Sequence, residues 1–296
     1  MKYLSVTETA KKWNLSERSV RNYCALGKIS GAFLTGKTWN IPEDAQKPDR
    51  ANKKAVLPTT LLEVLSAEKK AKLSGGIYHK VQIELTYNSN HIEGSRLTHD
   101  QTRYIFETNT IGIDGGTVKV DDIVETANHF KCIDLIIENA KKPITENFIK
   151  ELHRILKNGT TDARQDWFAV GDYKRLPNTV GDMYTTKPED VAEKMKELLF
   201  EYNTKQKKTF DDLLDFHYKF ECVHPFQDGN GRIGRLLLFK ECLKYNIVPF
   251  IIDEELKLFY YRGLKEWKSE RGYLRDTCLA AQDKFKLYLD YFKIKY

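Results

Sequence analysis

The chain lacks the features that would mark it as secreted, zinc-stapled or membrane-bound. Its 296 residues include five cysteines, Cys24, Cys132, Cys222, Cys242 and Cys278, odd in number and without CxxC spacing. They exclude a disulfide framework and a cysteine zinc site, and read as reduced thiols of a cytoplasmic protein. No signal peptide opens the sequence, and no uninterrupted apolar run is long enough to span a bilayer. Internal repeats and low-complexity tails are missing as well. Most of the chain also lacks net charge. Residues 1–57 hold eleven of the 48 basic residues and five of the 42 acidic ones, leaving 37 of each sign elsewhere. The whole +6 therefore belongs to the N-terminal segment and the linker after it. What is present, 41% apolar and 12% aromatic residues, suits a large core plus a small extra domain.

The basic segment has its own pattern. Ser5-Val6-Thr7-Glu8 offers a capping box for a helix through Ala10, Lys11 and Trp13. Asn14-Leu15 makes a turn, and Ser16 with Ser19 caps a second helix ended by Gly27. Glu17, Arg18, Arg21 and Asn22 lie on its exposed side, where a recognition helix presents polar groups to a major groove. ISGAFLTGKTWNIP then reads as a hairpin turning near Thr35-Gly36-Lys37. The segment resembles the winged helix-turn-helix of the MerR or excisionase type, with Lys37 at the wing, and the resemblance implies DNA binding. Two prolines, many charges and few apolar positions over residues 43–58 make a linker.

The most informative stretch runs from His224 to Arg235, HPFQDGNGRIGR. Ile233, Leu236, Leu237 and Phe239 give a helical apolar pattern entered at Gly229 and Gly231. A helix starting there presents unpaired N–H groups and its positive dipole end. Glycines let a polyphosphate approach that backbone closely. Arg232 and Arg235 are three apart, so one face can offer both to phosphate oxygens. Asp228 is a hard oxygen ligand suited to Mg²⁺ bridging phosphates. His224, just before the loop, is a general base for neutral pH.

This stretch matches in full the Fic (Fido) signature HxFx(D/E)GN(G/K)RxxR, and the similarity extends from about residue 60 to the C-terminus. The resemblance implies transfer of AMP from ATP to a Ser, Thr or Tyr hydroxyl of a target protein. By it, His224 takes the hydroxyl proton and Asp228 holds Mg²⁺. Gly229, Asn230 and Gly231 cradle phosphates, with Arg232 and Arg235 on the β- and γ-phosphates. Phe226 is a buried structural anchor of the loop. Members that phosphorylate their targets resemble GNKR; GNGR here favours AMP.

A second motif, Ser89-Asn90-His91-Ile92-Glu93-Gly94, closes a helix over about 78–93 capped by Gly94. A carboxylate in a last helical turn opposes the dipole, so Glu93 is better explained if a distant cation meets it. Ser89, one turn earlier, can hold its carboxylate. The motif is similar to the family's inhibitory (S/T)xxxE(G/N), which implies that Glu93 pairs with Arg235 and keeps the γ-phosphate out. In some members this glutamate helps hydrolyse the AMP–protein bond, so the reverse reaction stays open. So does a transcription regulator whose Fic domain only senses ATP.

Further helices are expected over about 60–73, 98–107, 121–140, 145–157, 188–204, 209–222, 231–245, 255–268 and 272–293. GDYKRLPNTVGDMYTT (171–186) lacks helical periodicity and reads as a flap or β-hairpin. The family's flap at this position docks the target backbone by strand addition. His217 reads as a hydrogen-bonded core histidine, and His79, His91, His99, His129 and His153 as structural or surface groups. Tyr260 and Tyr261 resemble a family YY pair near adenine, though tyrosines so spaced are more often core.

The expected architecture is mainly α: an all-helical Fic core over 59–296 with a short β-hairpin flap, a linker at 46–58, and a winged helix-turn-helix at 1–45. The expected partners are ATP with Mg²⁺, a hydroxyl-bearing protein target (itself included), and DNA. No membrane is expected, and a homo-oligomer stays open.

Overall fold

The computed structural model describes residues 2–48, 59–113, 115–181 and 183–296. Of the expected linker, residues 49–58 lie outside the described residues. The chain divides into two compact units, Met1–Leu57 and Pro58–Tyr296.

The first unit consists of β1 (Tyr3–Leu4), α1 (Val6–Trp13), α2 (Glu17–Ala25), β2 (Phe33–Thr35) and β3 (Thr38–Pro42). Ser5 and Glu8 form a reciprocal capping box at α1, and Asn14 ends that helix in the left-handed region at φ 52°. Ser16 caps α2 by accepting from the Ser19 N–H. The strands make an antiparallel sheet in the order β1-β3-β2. Gly36 at φ +60° lets a two-residue turn join β2 to β3. Val6, Ala10, Trp13, Val20, Cys24, Ile29 and Ile41 fill the core. Arg18, Arg21, Asn22 and Lys37 are exposed. Glu17 is engaged inside the unit: it accepts from Thr7 Oγ1 at 2.9 Å and pairs with Arg21 at 3.2 Å.

The second unit is mainly helical: α3 (Leu61–Ala71), α4 (Ile77–Ile92), α5 (His99–Thr108), α6 (Val120–Asn139), α7 (Glu146–Lys157), α8 (Val191–Thr204), α9 (Phe210–Val223), α10 (Asn230–Tyr245), α11 (Glu254–Glu266) and α12 (Gly272–Tyr291). A hairpin of β4 (Thr179–Val180) and β5 (Met183–Tyr184) lies between α7 and α8. The helix expected from residue 188 begins as a 3-10 turn, Pro188–Asp190, and becomes α8 only at Val191. Thr60, Thr98 and Thr209 each close a capping box, which sets the starts of α3, α5 and α9. From Asn230 to Leu243 every residue of α10 except Gly231 is buried. The helix is therefore buried on every side, with Arg232, Arg235, Lys240 and Glu241 enclosed among its apolar residues. Around it, α3, α4, α6, α7, α8, α9 and α12 contribute Leu65, Val81, Ile133, Leu152, Met195, Phe220 and Phe285 to one core. No helix among the described residues is long and apolar enough to cross a membrane.

Candidate active site

The N-terminus of this central helix is where the site is built. α9 stops at His224, whose backbone turns left-handed (φ 50°, ψ 61°) while its N–H still reaches Phe220 O. The next residues cross back to α10 in a short loop. Phe226 is fully buried there and stacks on His153, centroids 4.0 Å apart and planes 2° off parallel. Asn230 holds the loop shut from inside. Its Oδ1 accepts from Phe226 N and its Nδ2 donates to Phe226 O, both at 2.8 Å. The Asn230 side chain is thus committed to the loop, and only its backbone can face a ligand. Gly229, at φ +83°, takes the N-cap position without a side-chain cap, leaving the first N–H groups of α10 to an incoming acceptor.

Two arginines rise from this turn, and each meets carboxylates. Arg232, 4% exposed, donates to Asp228 at 3.0 Å and to Glu125 on α6. Arg235, 6% exposed, donates from Nε to Ser89 Oγ at 3.0 Å, and from NH2 to Ser89 O at 2.9 Å and Glu93 Oε1 at 2.7 Å. Ser89, expected to hold the Glu93 carboxylate, accepts from Arg235. Glu93 is the C-cap of α4, and Gly94 follows at φ +94°. Gly231 leaves room for this pairing: a Cβ there would collide with Glu93 Oε1.

The electrostatics set the protonation states. Burial, then the Lys174 ammonium, draw the His224 imidazole down to about 4 against the opposing Glu221 backbone, Glu93 and Asp228. It is neutral at pH 7 and can accept a proton. Burial would raise the Asp228 carboxyl, but Arg232 and Lys157 hold it well below the usual range. A half-exposed, ionised carboxylate fits a Mg²⁺ ion, which binds through one or two carboxylates and substrate phosphates.

Residues 143–241 match the Fic/DOC family. The matched region lies within the helical unit and contains the whole His224–Arg235 stretch. Curated relatives agree: the chain is 28% identical over 226 residues to protein adenylyltransferase Fic of Aedes aegypti, covering 75% of this chain and 43% of that protein. The Drosophila melanogaster protein adenylyltransferase Fic is 31% identical over 183 residues, 60% of this chain and 36% of its own. The chain thus spans about two fifths of the length of these relatives. Among solved structures, a Fic-domain-containing signaling protein from Bacteroides thetaiotaomicron aligns with a TM-score of 0.58 and 28% identity, over 78% of this chain and 90% of that one. Caenorhabditis elegans Fic-1 aligns at TM-score 0.60 with 22% identity, over 77% of this chain and 68% of that one, a likeness of fold.

The helical unit surrounds the motif with further groups that the sequence reading did not assign to the site. Lys157, 2% exposed, donates to Glu125 at 2.5 Å, Asp228 at 2.7 Å and Asp162 at 3.1 Å. His153, fully buried, accepts the Gly171 N–H at 2.9 Å while stacking on Phe226. Both fall on the apolar stripe of α7 with Ile149, Leu152 and Leu156, and polar residues on such a stripe were the available signal. Glu221 lies 4.0 Å from His224 Nδ1, and burial lifts its carboxyl to about 8, with Glu93 adding to the lift and Arg235 opposing it. Lys174, 3% exposed, gave no sequence signal. His217 and Tyr260 are core residues joined at 2.6 Å, and the Tyr261 hydroxyl points to Ile92 O at 3.5 Å. His129 is buried against Thr86, whereas His79 and His99 pair with Glu107 and Glu84.

Proposed function

We propose that this chain is an inhibited protein adenylyltransferase that moves AMP from ATP to a Ser, Thr or Tyr hydroxyl of a target protein, itself included. One observation carries the reading: a single loop sets a neutral imidazole beside the uncapped N-terminus of a buried helix whose first turns bear Arg232 and Arg235. His224 would accept the hydroxyl proton as the oxygen attacks the α-phosphorus and the bond to pyrophosphate breaks. The triphosphate's own negative charge would raise the imidazole toward the range where it takes that proton readily. Backbone N–H groups of Gly229, Asn230 and Gly231 would hold phosphate oxygens, with Arg232 beside them. Asp228 would hold Mg²⁺, which offsets charge on the leaving pyrophosphate.

Arg235 would orient the γ-phosphate only after Glu93 leaves it, so the Glu93–Arg235 pair is the inhibitory contact. The hairpin within 171–186 would dock the target backbone by strand addition. Residues 1–45 would bind DNA, with Arg18, Arg21 and Asn22 of α2 at base edges and Lys37 at the wing. The whole +6 net charge falls within residues 1–57, which supports this assignment.

The test compares wild type, Glu93→Gly and Glu93→Gly/His224→Ala with ATP labelled at the α- or γ-phosphate. The reading requires α-label alone to stay on denatured protein, more in Glu93→Gly, and none without His224. Retained γ-label, or α-label that survives loss of His224, sinks it.

A further inference from the structure

Lys174 lies outside the signature residues, yet it has three connections to the candidate site. Its backbone N–H donates to Pro225 O at 2.9 Å, one residue beyond His224. Its ammonium donates to Asn178 Oδ1 and Thr185 Oγ1, both at 2.7 Å. These two residues bracket the β4–β5 hairpin, so one cation joins both of its ends. Asn178 continues the chain of contacts, donating to Phe226 O at 3.0 Å, and Leu176 N donates to Gln227 Oε1 at 3.2 Å. A hairpin with two residues in each strand has little hydrogen bonding of its own, so its placement depends on such ties.

The chemistry at position 174 is specific to an ammonium. A buried lysine is costly unless its protons find acceptors, and here they find neutral oxygens, not carboxylates. Its charge is therefore unpaired by any anion in these contacts and is felt by its neighbours. The groups that act on the His224 imidazole are Lys174 from the flap, Glu221 from α9, Glu93 from α4 and Asp228 from the motif loop. Lys174 is the cation among them, and in lowering the imidazole it opposes the Glu221 backbone and the Glu93 and Asp228 carboxylates.

We propose that Lys174 is the positioning residue that fixes the flap over His224 and keeps a positive charge beside that imidazole. The inference rests on the proposed function, in which His224 is the base and the flap holds the target. With Lys174 in place, the hydroxyl presented by a docked strand and the nitrogen that receives its proton are set by one rigid tie. Without it, the hairpin is released from the motif loop and the imidazole is left to the surrounding carboxylates.

The experiment compares wild type with Lys174→Met, Lys174→Gln and Lys174→Arg in the full chain. Hydrogen exchange of backbone amides 176–186 reads the tie, and NMR titration of the His224 ring, assigned with His224→Ala, reads the charge. Lys174→Met is expected to speed flap exchange about tenfold and to raise the imidazole by about half a pH unit or more. Lys174→Gln should raise it equally, whereas Lys174→Arg should leave it near wild type. A purely structural lysine would change exchange but not titration, and that outcome overturns the electrostatic half. Unchanged exchange in Lys174→Met overturns the positioning half. Should the Met variant fail to fold, the Gln and Arg pair carries both readouts. Neither readout depends on transfer, so a chain without transferase activity would defeat the proposed function while these two measurements still judge Lys174.

Discussion

Glu93 Oε1 and Arg235 NH2 meet at 2.7 Å over the bare backbone of Gly231, the one residue at the start of α10 that is not buried. The guanidinium is 6% exposed and the Glu93 side chain 28%, so the pair is unequally buried. Removing the carboxylate leaves a buried cation that keeps its hydrogen bonds to Ser89 but loses this anion. A fully buried pair broken in this way costs about 3–5 kcal/mol. Partial exposure of Glu93 lowers the expected loss for Glu93→Gly to about 1–3 kcal/mol. ATP should return it, since a ligand at 100 times its Kd contributes about 2.7 kcal/mol. Thermal unfolding with and without ATP checks this: the variant should melt lower alone and rise more with nucleotide. Equal nucleotide shifts in both proteins would refute the inhibitory role.

Gly231→Ala probes the same contact from the other side. An added methyl collides with Glu93 Oε1 and comes within 3.0 Å of Arg235 NH1, so the carboxylate must move. The expected outcome is α-label incorporation above wild type, though below Glu93→Gly, because the methyl also narrows the phosphate approach. Labelling side by side with Glu93→Gly measures it. No gain over wild type would mean that Glu93 re-docks around the methyl.

Acid should destabilise the fold earlier than its carboxylates alone would require. Burial draws His129, His153 and His217 to about 3 and His224 to about 4, against 6.5 for an ordinary imidazole. Above pH 6.5 folded and unfolded chains both hold these rings neutral, and their contribution is complete. Between pH 6.5 and 4 the unfolded chain binds up to four more protons, so stability falls as pH falls. Glu221, lifted to about 8, works in the opposite sense with one proton between pH 8 and 4.5, too few to reverse the trend. Urea unfolding at pH 7, 6 and 5 reads the slope. His129→Gln should flatten it by about one proton.

Much of this was legible in the sequence where local rules agree with packing. Ser5, Thr60, Thr98 and Thr209 announce helix starts that the capping boxes realise. Gly94 marks the end of α4, and the glycine-rich turn marks the start of α10. Tertiary pairings were not legible without the family pattern, because Arg235 reaches 142 residues back to Glu93. Lys157 went unassigned and His153 read as a structural or surface group, since nothing local says that three acidic side chains from three separate segments converge on one ammonium. Asn230 reads as part of a phosphate cradle; its side-chain amide is used on the Phe226 backbone, which leaves its backbone N–H for that role.

Phe226→Ala tests whether that anchor is structural. The ring is fully buried between His153 and Tyr173, at centroid distances of 4.0 and 6.0 Å. Truncating a buried phenylalanine costs about 3–5 kcal/mol, and more of the cavity persists where the neighbours cannot collapse. Here the Asn230 clamp fixes the backbone on both sides of the ring, so the upper part of that range is expected in urea titration. A loss below about 1 kcal/mol would show that the loop closes over the gap and that Phe226 is not its anchor.

Lys157→Met should be more damaging at neutral pH than in mild acid. The ammonium stays charged because Asp228 and Glu125 outweigh the burial that would lower it, with Arg232 opposing them. Removing it leaves Glu125 and Asp228 with Arg232 alone, and Asp162 without this partner. Carboxylates crowded in this way rise in pKa and take up protons as the pH falls. In the wild type, Asp228 is held below its ordinary value, so its contribution is present at neutral pH and fades below about pH 4. The gap in stability between the two proteins is therefore expected to reach about 3–5 kcal/mol at pH 7 and to narrow toward pH 4.5. Parallel urea titrations at those two pH values decide it. A gap that does not change with pH would assign the loss to packing of the lysine stem and not to its charge.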